Sequence, residues 1–248
     1  MGLGTTIWLT AARLVRRPRI QLDFPERRRR LVAELAPGSS FIDVGGMWNA
    51  HGEIAFAAEA AGAGRVALFD AMAPTPEFEA ERERLGSSVE YVRGDLHDPE
   101  AIAALGSFDV VWCAGVVYHT PDPLLQLAHL RRLCGSRLLL GSHVIPEVPG
   151  LPGACMYYPA ATESARRSLR TAHGGDAAPG CLGVTEPFDA AAGYGNYWFG
   201  MTPSALRAML ETAGFRVLAE HRYTTFLADF LAEPVAGPSA LPPLAEGG

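Results

Sequence analysis

The chain has no lysine: each of its 21 basic residues is an arginine. Chemistry that runs through a lysine amine, Schiff-base formation above all, is therefore excluded. Cysteine is scarce, and the four that occur, Cys113, Cys134, Cys155 and Cys181, form no Cys-x-x-Cys pair. That spacing excludes a zinc ribbon and a small disulfide scaffold, and it fits reduced thiols in a cytoplasmic protein. No stretch approaches the roughly 18 apolar residues of a membrane span. The start, Met1 to Ala12, lacks the basic opening of a signal peptide. There is no internal repeat, and no pair of histidines has the spacing of a metal site.

What is present is a globular balance, 48% hydrophobic against 19% charged, in a chain of 248 residues that can bury one sizeable core. The net charge of −6 is uneven: the first 31 residues carry +6, through Arg13, Arg16, Arg17, Arg19 and Arg27 to Arg30, and the remainder carries −12. So acidic a body argues against a nucleic-acid partner and leaves the arginine-rich start as the one candidate for a polyanion. The favoured reading of that start is a plain solvated helix, expected to pack across the entrance of the ligand site and not to bind a polyanion. Three parts are expected: a basic leader over 1–25, one domain over 26–233, and a disordered tail of Pro, Ala and Gly over 234–248. Homo-oligomerisation is left open.

Strand and helix signatures alternate along the domain. Glu26 to Leu35 predicts a helix with Leu31, Val32 and Leu35 as its apolar stripe, stopped by Pro37-Gly38. Phe41 to Val44 predicts a buried strand, followed by Gly45-Gly46 and a helix over Glu53 to Ala63. Further strands are expected at Arg65 to Phe69, Val89 to Arg93, Phe108 to Trp112 and Arg137 to Gly141, with helices at Pro99 to Leu105 and Leu124 to Leu133. This alternation dictates an α/β, doubly wound, mostly parallel sheet with right-handed crossovers and ligands outside the strands' carboxyl ends. After it, Thr202-Pro203 caps a helix over Ala205 to Ala213, and Arg216 to Tyr223 and Phe226 to Leu231 predict two closing strands. Residues 146–200 break the rhythm with prolines, glycines and aromatics, and are expected to form a structureless lid insertion.

The order of parts over residues 26–231 resembles the class I S-adenosylmethionine-dependent methyltransferases, whose Rossmann-like fold has seven strands ending in an antiparallel hairpin. The run Phe41-Ile-Asp-Val-Gly-Gly46 is similar to the family's first motif, although the alternate glycines expected at 47 and 49 are Met47 and Asn49. The resemblance implies that Asp43, Gly45 and Gly46 lie under the methionine part of S-adenosylmethionine. It implies that Asp70 accepts from the ribose hydroxyls and Asp95 from the adenine amino group, with Leu96 against the ring. Phe108 to Pro123, with the run Val116-Val-Tyr-His119, is similar to the fourth-strand motif of small-molecule and wobble-uridine tRNA methyltransferases. That places Cys113, Ala114 and Gly115 at the sulfonium end and turns Tyr118 and His119 toward the acceptor.

The resemblance implies an enzyme that transfers a methyl group to a small-molecule acceptor, oxygen first, with nitrogen or carbon as alternatives. A proton must leave the acceptor, and His119 is the first candidate base, His143 the second, with a neutral packing role as the alternative for each. Tyr118, Tyr157, Tyr197 and Trp198 are the candidate acceptor contacts, on the ground that an aromatic lid suits a planar or apolar acceptor. Two other readings stay open: a wobble-uridine tRNA-modifying enzyme, and a cofactor-binding protein without catalysis. A nicotinamide dehydrogenase is disfavoured, since Gly-x-Gly-x-x-Gly is absent after the first strand.

Overall fold

The computed structural model describes residues 24–175 and 180–236. The expectations placed on the leader before Phe24 and on the last residues of the tail lie outside the described residues. Helix α1 (Phe24–Leu35) leads into β1 (Ser40–Val44), α2 (Glu53–Ala60), β2 (Arg65–Asp70), α3 (Pro76–Leu85) and β3 (Glu90–Arg93). Then come α4 (Pro99–Leu105), β4 (Phe108–Ala114), α5 (Pro123–Leu133) and β5 (Cys134–His143). An insertion carries β6 (Cys155–Tyr157), α6 (Glu163–His173) and β7 (Phe199–Met201), and the chain closes with α7 (Pro203–Thr212), β8 (Phe215–Thr224) and β9 (Leu227–Pro234).

Seven strands make one sheet in the order β3-β2-β1-β4-β5-β9-β8, the first five parallel and β9 antiparallel to both its neighbours. Burial alternates along the strands as a two-faced sheet requires. Ile42, Val111, Leu138 and Leu140 pack against α4, α5 and α7, while Phe41, Val110, Trp112 and Leu139 face α1 and α2. Local chemistry sets the helix starts. Thr75, Asp98, Asp122 and Thr202 each accept a hydrogen bond from a first-turn amide, and each is followed by proline, whose fixed φ suits that position.

One helix is added to the expected elements and one expectation is corrected. Helix α3 had no sequence signal by periodicity, because Phe78 is its one buried residue and the rest is charged. The insertion is not structureless either: β6 and β7 pair antiparallel, and α6 packs through Leu169 onto a small core of Ile145, Tyr158 and Val184. No helix among the described residues is long and apolar enough to cross a membrane.

Candidate active site

The strand order reverses between β1 and β4, and a cavity of about 270 Å³ opens in that crevice. Its walls are Asp43 of β1, the loop residues Gly45, Gly46 and Trp48, the end of β4, Tyr118 beyond it, and Gly141 and His143 of β5. A larger depression, about 590 Å³, lies on α3 among Glu79, Arg82 and Glu83; it is solvated surface, not a strand-end crevice.

The loop after β1 explains its own residues. Gly45 has φ 78°, and a side chain on Gly46 would collide with the Asp43 carboxylate beneath it. Asn49 also sits in the left-handed region, at φ 56°. Asparagine is among the few non-glycine residues that tolerate this, so the departure from glycine at 49 preserves the conformation. Met47 needs no such freedom: it is buried, and its amide donates to Asp70 Oδ2 at 2.9 Å. The Met72 amide donates to Asp70 Oδ1 at 2.8 Å, which leaves lone pairs on both oxygens at the end of β2. Burial pushes the Asp70 carboxyl up, opposed by these amides.

Asp43 is the least satisfied group in the crevice. Its Oδ2 is buried without a hydrogen-bond partner. Burial, and then the charge of Asp70, push its carboxyl up to about 7, against the pull of the Arg28 guanidinium and the Ala55 amide. Arg28 lines the same cavity from α1. Its guanidinium grips the buried Asp229 of β9 through two hydrogen bonds of 3.1 and 2.7 Å, and the Tyr223 hydroxyl donates to Asp229 at 2.8 Å. A side chain at Gly141 would collide with that guanidinium, so glycine is what lets it lie against β5.

Asp95 follows β3, half-exposed. Burial alone would raise its carboxyl, but hydrogen bonds from the His97 amide, the Tyr194 hydroxyl and the His97 ring hold it below the ordinary carboxylate range. Leu96 is buried beside it. At the end of β4, Ala114 and Gly115 line the cavity; Cys113 does not, being sealed in the core with its thiol pushed up by burial. The expected contact through Cys113 is corrected accordingly, since alternation along β4 turns it to the opposite face from Trp112 and Ala114.

An aromatic cluster adjoins the cavity, which only its members Tyr118 and His143 line. Tyr118, His119, His143 and Tyr197 form one cluster, with ring centroids 4.3 Å apart for Tyr118 and His119 and 4.6 Å for His119 and Tyr197. The His119 Nδ1 lies 2.8 Å from the Asn196 carbonyl, so Nδ1 carries the proton and the Nε2 lone pair has no partner among the described residues. Burial lowers its pKa, partly offset by that carbonyl. His143 is different. Burial, then the nearby His173 and His119, depress it to about 3, and its Nε2 is bonded to the Tyr158 hydroxyl at 2.9 Å. It lines the cavity, and its burial and its bond to Tyr158 favour the neutral packing role over that of a base. Tyr157 and Trp198 pack on one another and on Phe199 and Phe188 in the insertion and, like Tyr197, do not line the cavity. His51 is held by Thr75 at 2.9 Å, also outside.

Sequence reasoning missed Arg28, Tyr194 and Asn196. For Arg28 a signal existed: it stands three and four residues before Leu31 and Val32 and so shares their inward stripe. For the other two no local pattern marks them.

The strand order, with carboxylates at successive strand ends and a cavity at the reversal, defines a Rossmann-like domain. Residues 49–137, from the loop after β1 into β5, match the family model described as a methyltransferase domain. The fold is that of the class I S-adenosylmethionine-dependent methyltransferases. Among solved structures it is similar to the N-terminal domain of EvdMO1 in the presence of SAH and D-fucose (TM-score 0.57, 20% identity, 88% of this chain and 84% of that one). It is also similar to magnesium protoporphyrin IX methyltransferase (ChlM) from Synechocystis PCC 6803 with bound SAH (0.55, 17%, 87% and 85%). The [4+2]-cyclase SpnF is equally alike (0.57, 15%, 86% and 82%), so the fold alone does not name a reaction. No curated protein matches the chain.

The residues fit the cofactor. A buried carboxylate with one oxygen unpartnered and a guanidinium share the cavity, as a zwitterionic amino-acid end requires, and free lone pairs at Asp70 and Asp95 suit ribose hydroxyls and an exocyclic amine.

Proposed function

We propose that the protein methylates a hydroxyl oxygen of a small, planar acceptor, with His119 as the base. The observation that carries this is the open Nε2 of His119 in a ring-lined wall next to the strand-end cavity. S-adenosylmethionine, when bound, supplies a methyl group already activated on a sulfonium. What the chain must do is hold, orient and remove a proton.

Asp43 and Arg28 would hold the amino-acid end, the carboxylate taking the ammonium and the guanidinium the carboxylate; Asp70 would hold the ribose, and Asp95 with Leu96 the adenine. Ala114 and Gly115, without bulk, leave room at the centre of the crevice. Tyr118, whose ring meets both His119 and Tyr197, would stack on the acceptor. The Asn196 carbonyl keeps the His119 proton on Nδ1, so the open Nε2 would take the proton of the acceptor's hydroxyl. The rings Tyr118, His119, His143 and Tyr197 are uncharged, which suits a neutral aromatic hydroxyl better than an ionised one.

The direct test is a panel of phenolic and aliphatic hydroxyl compounds incubated with radiolabelled S-adenosylmethionine. Label transfer to aromatic hydroxyls, lost in His119→Ala, supports the reading. Tight cofactor binding with no transfer to any oxygen, nitrogen or carbon acceptor overturns it.

A further inference from the structure

One short loop of the insertion touches both halves of the site. Tyr194, in the turn Ala190–Gly195, donates its hydroxyl to Asp95 Oδ2 at 2.7 Å and lies 2.8 Å from His97 Nδ1, with the two rings nearly parallel. Two residues on, Asn196 is wholly buried. Its side-chain oxygen accepts from the Asp189 amide at 2.9 Å, and its side-chain nitrogen donates to the Asp189 and Gly193 carbonyls. The residue is thereby fixed, and its own carbonyl holds His119 Nδ1. Next in line, Tyr197 hydrogen-bonds Tyr118, and the Trp198 amide donates to the Tyr118 carbonyl at 2.8 Å. A second route runs from Asp95 through His97, whose Nε2 lies 2.6 Å from Thr120 Oγ1, the residue after His119.

We propose that Tyr194 is a positioning residue: by clamping the insertion to Asp95 it sets His119, so that the nucleoside carboxylate and the base are held by one loop. The proposal rests on the reading of His119 as the base and of Asp95 as the adenine contact. A carboxylate has about four lone-pair positions. His97 occupies Oδ1 through its amide and ring, and the Tyr194 hydroxyl occupies one position on Oδ2, so a further donor such as an exocyclic amine shares Oδ2 with it. Binding at Asp95 therefore acts on the loop that carries Asn196, and by reciprocity the loop acts on binding.

The groups facing the His119 ring are the Tyr118 and Tyr197 rings, the Asn196 carbonyl and the neutral His143 beyond, none of them charged. Its imidazole resonance is consequently a clean reporter of the loop. The experiment is nuclear magnetic resonance titration of His119 with and without S-adenosylhomocysteine, in the wild type, in Tyr194→Phe and in Tyr157→Phe, with affinities from calorimetry. The wild-type ring is expected to titrate below the ordinary histidine range and to shift when S-adenosylhomocysteine binds. In Tyr194→Phe the titration should move up toward the ordinary value, the ligand-induced shift should vanish, and affinity should fall about 3- to 10-fold, as one lost hydrogen bond implies. Tyr157→Phe, a lid tyrosine outside the cavity, should leave all three readouts unchanged. An affinity loss with an unmoved His119 resonance, or a moved resonance with unchanged affinity, overturns the link. A fully active His119→Gln would overturn the base assignment instead, while the resonance would still report whether the loop sets the ring.

Discussion

The two halves of the crevice are built by different means. The half under the strand ends is backbone and buried charge: glycines that admit close approach, the amides of Met47 and Met72 on Asp70, and Arg28 locked to Asp229 between α1 and β9. The half toward the insertion is side chain: rings edge to face, two neutral histidines, and a loop pinned by Tyr194 and Asn196. The first half is part of the sheet's own stability, and changes there should alter stability and cofactor affinity together. The second is an attachment, and changes there should spare the fold and strike turnover.

The sharpest contrast sets Arg28 against His119. Arg28→Ala leaves Asp229 buried without its cation and should cost about 3 to 5 kcal/mol in denaturant unfolding, with cofactor affinity falling as well. His119→Ala should leave stability and S-adenosylhomocysteine affinity unchanged while lowering turnover about 100-fold or more. If Arg28→Ala proved neutral in stability, or His119→Ala unfolded the protein, the division would be drawn in the wrong place. Because burial lowers the His119 pKa, the wild-type rate should rise with pH and level off below the ordinary histidine value of 6.5.

Asp43 tests the division through pH. Its carboxyl is raised above the unfolded value, so the folded state keeps a proton that the unfolded state releases. Stability should therefore fall as pH rises from about 4 to about 7, by a total on the order of 4 kcal/mol, and level off above that window. Asp43→Asn should flatten the unfolding midpoint across this window and stabilise the ligand-free protein, while weakening cofactor binding. A flat wild-type profile would show that Oδ2 is not the stored cost it is taken to be. Asp70→Ala should weaken S-adenosylhomocysteine by about 1.5 to 3 kcal/mol, roughly 10- to 150-fold, in calorimetry.

Smallest of all is Asn49. Asn49→Ala should cost about 1 kcal/mol of stability through its left-handed φ, and Asn49→Gly should cost none.

The same division explains what could be read from the amino acids. The sheet and its closing strands follow from periodicity, which burial on a sheet enforces residue by residue, whereas the roles of Asp43, Asp70 and Asp95 came from the resemblance alone. Asn49 looked like an eroded glycine because the sequence does not display φ. Helix α3 escaped because its one buried residue, Phe78, makes no stripe, although Thr75, Pro76 and Gly86 marked both its ends. In the insertion, aromatic content announced a lid but not which rings face inward: Tyr197 meets the His119 ring, whereas Tyr157 and Trp198 turn away, a distinction made by tertiary packing alone.

The most direct test of the whole account is calorimetric titration of the wild type with S-adenosylhomocysteine, repeated on Asp43→Asn and Asp70→Ala. One site per chain, weakened in both variants, is the expected result; no heat at millimolar ligand, or full-strength binding in both variants, would contradict the placement of the cofactor at the ends of β1 and β2.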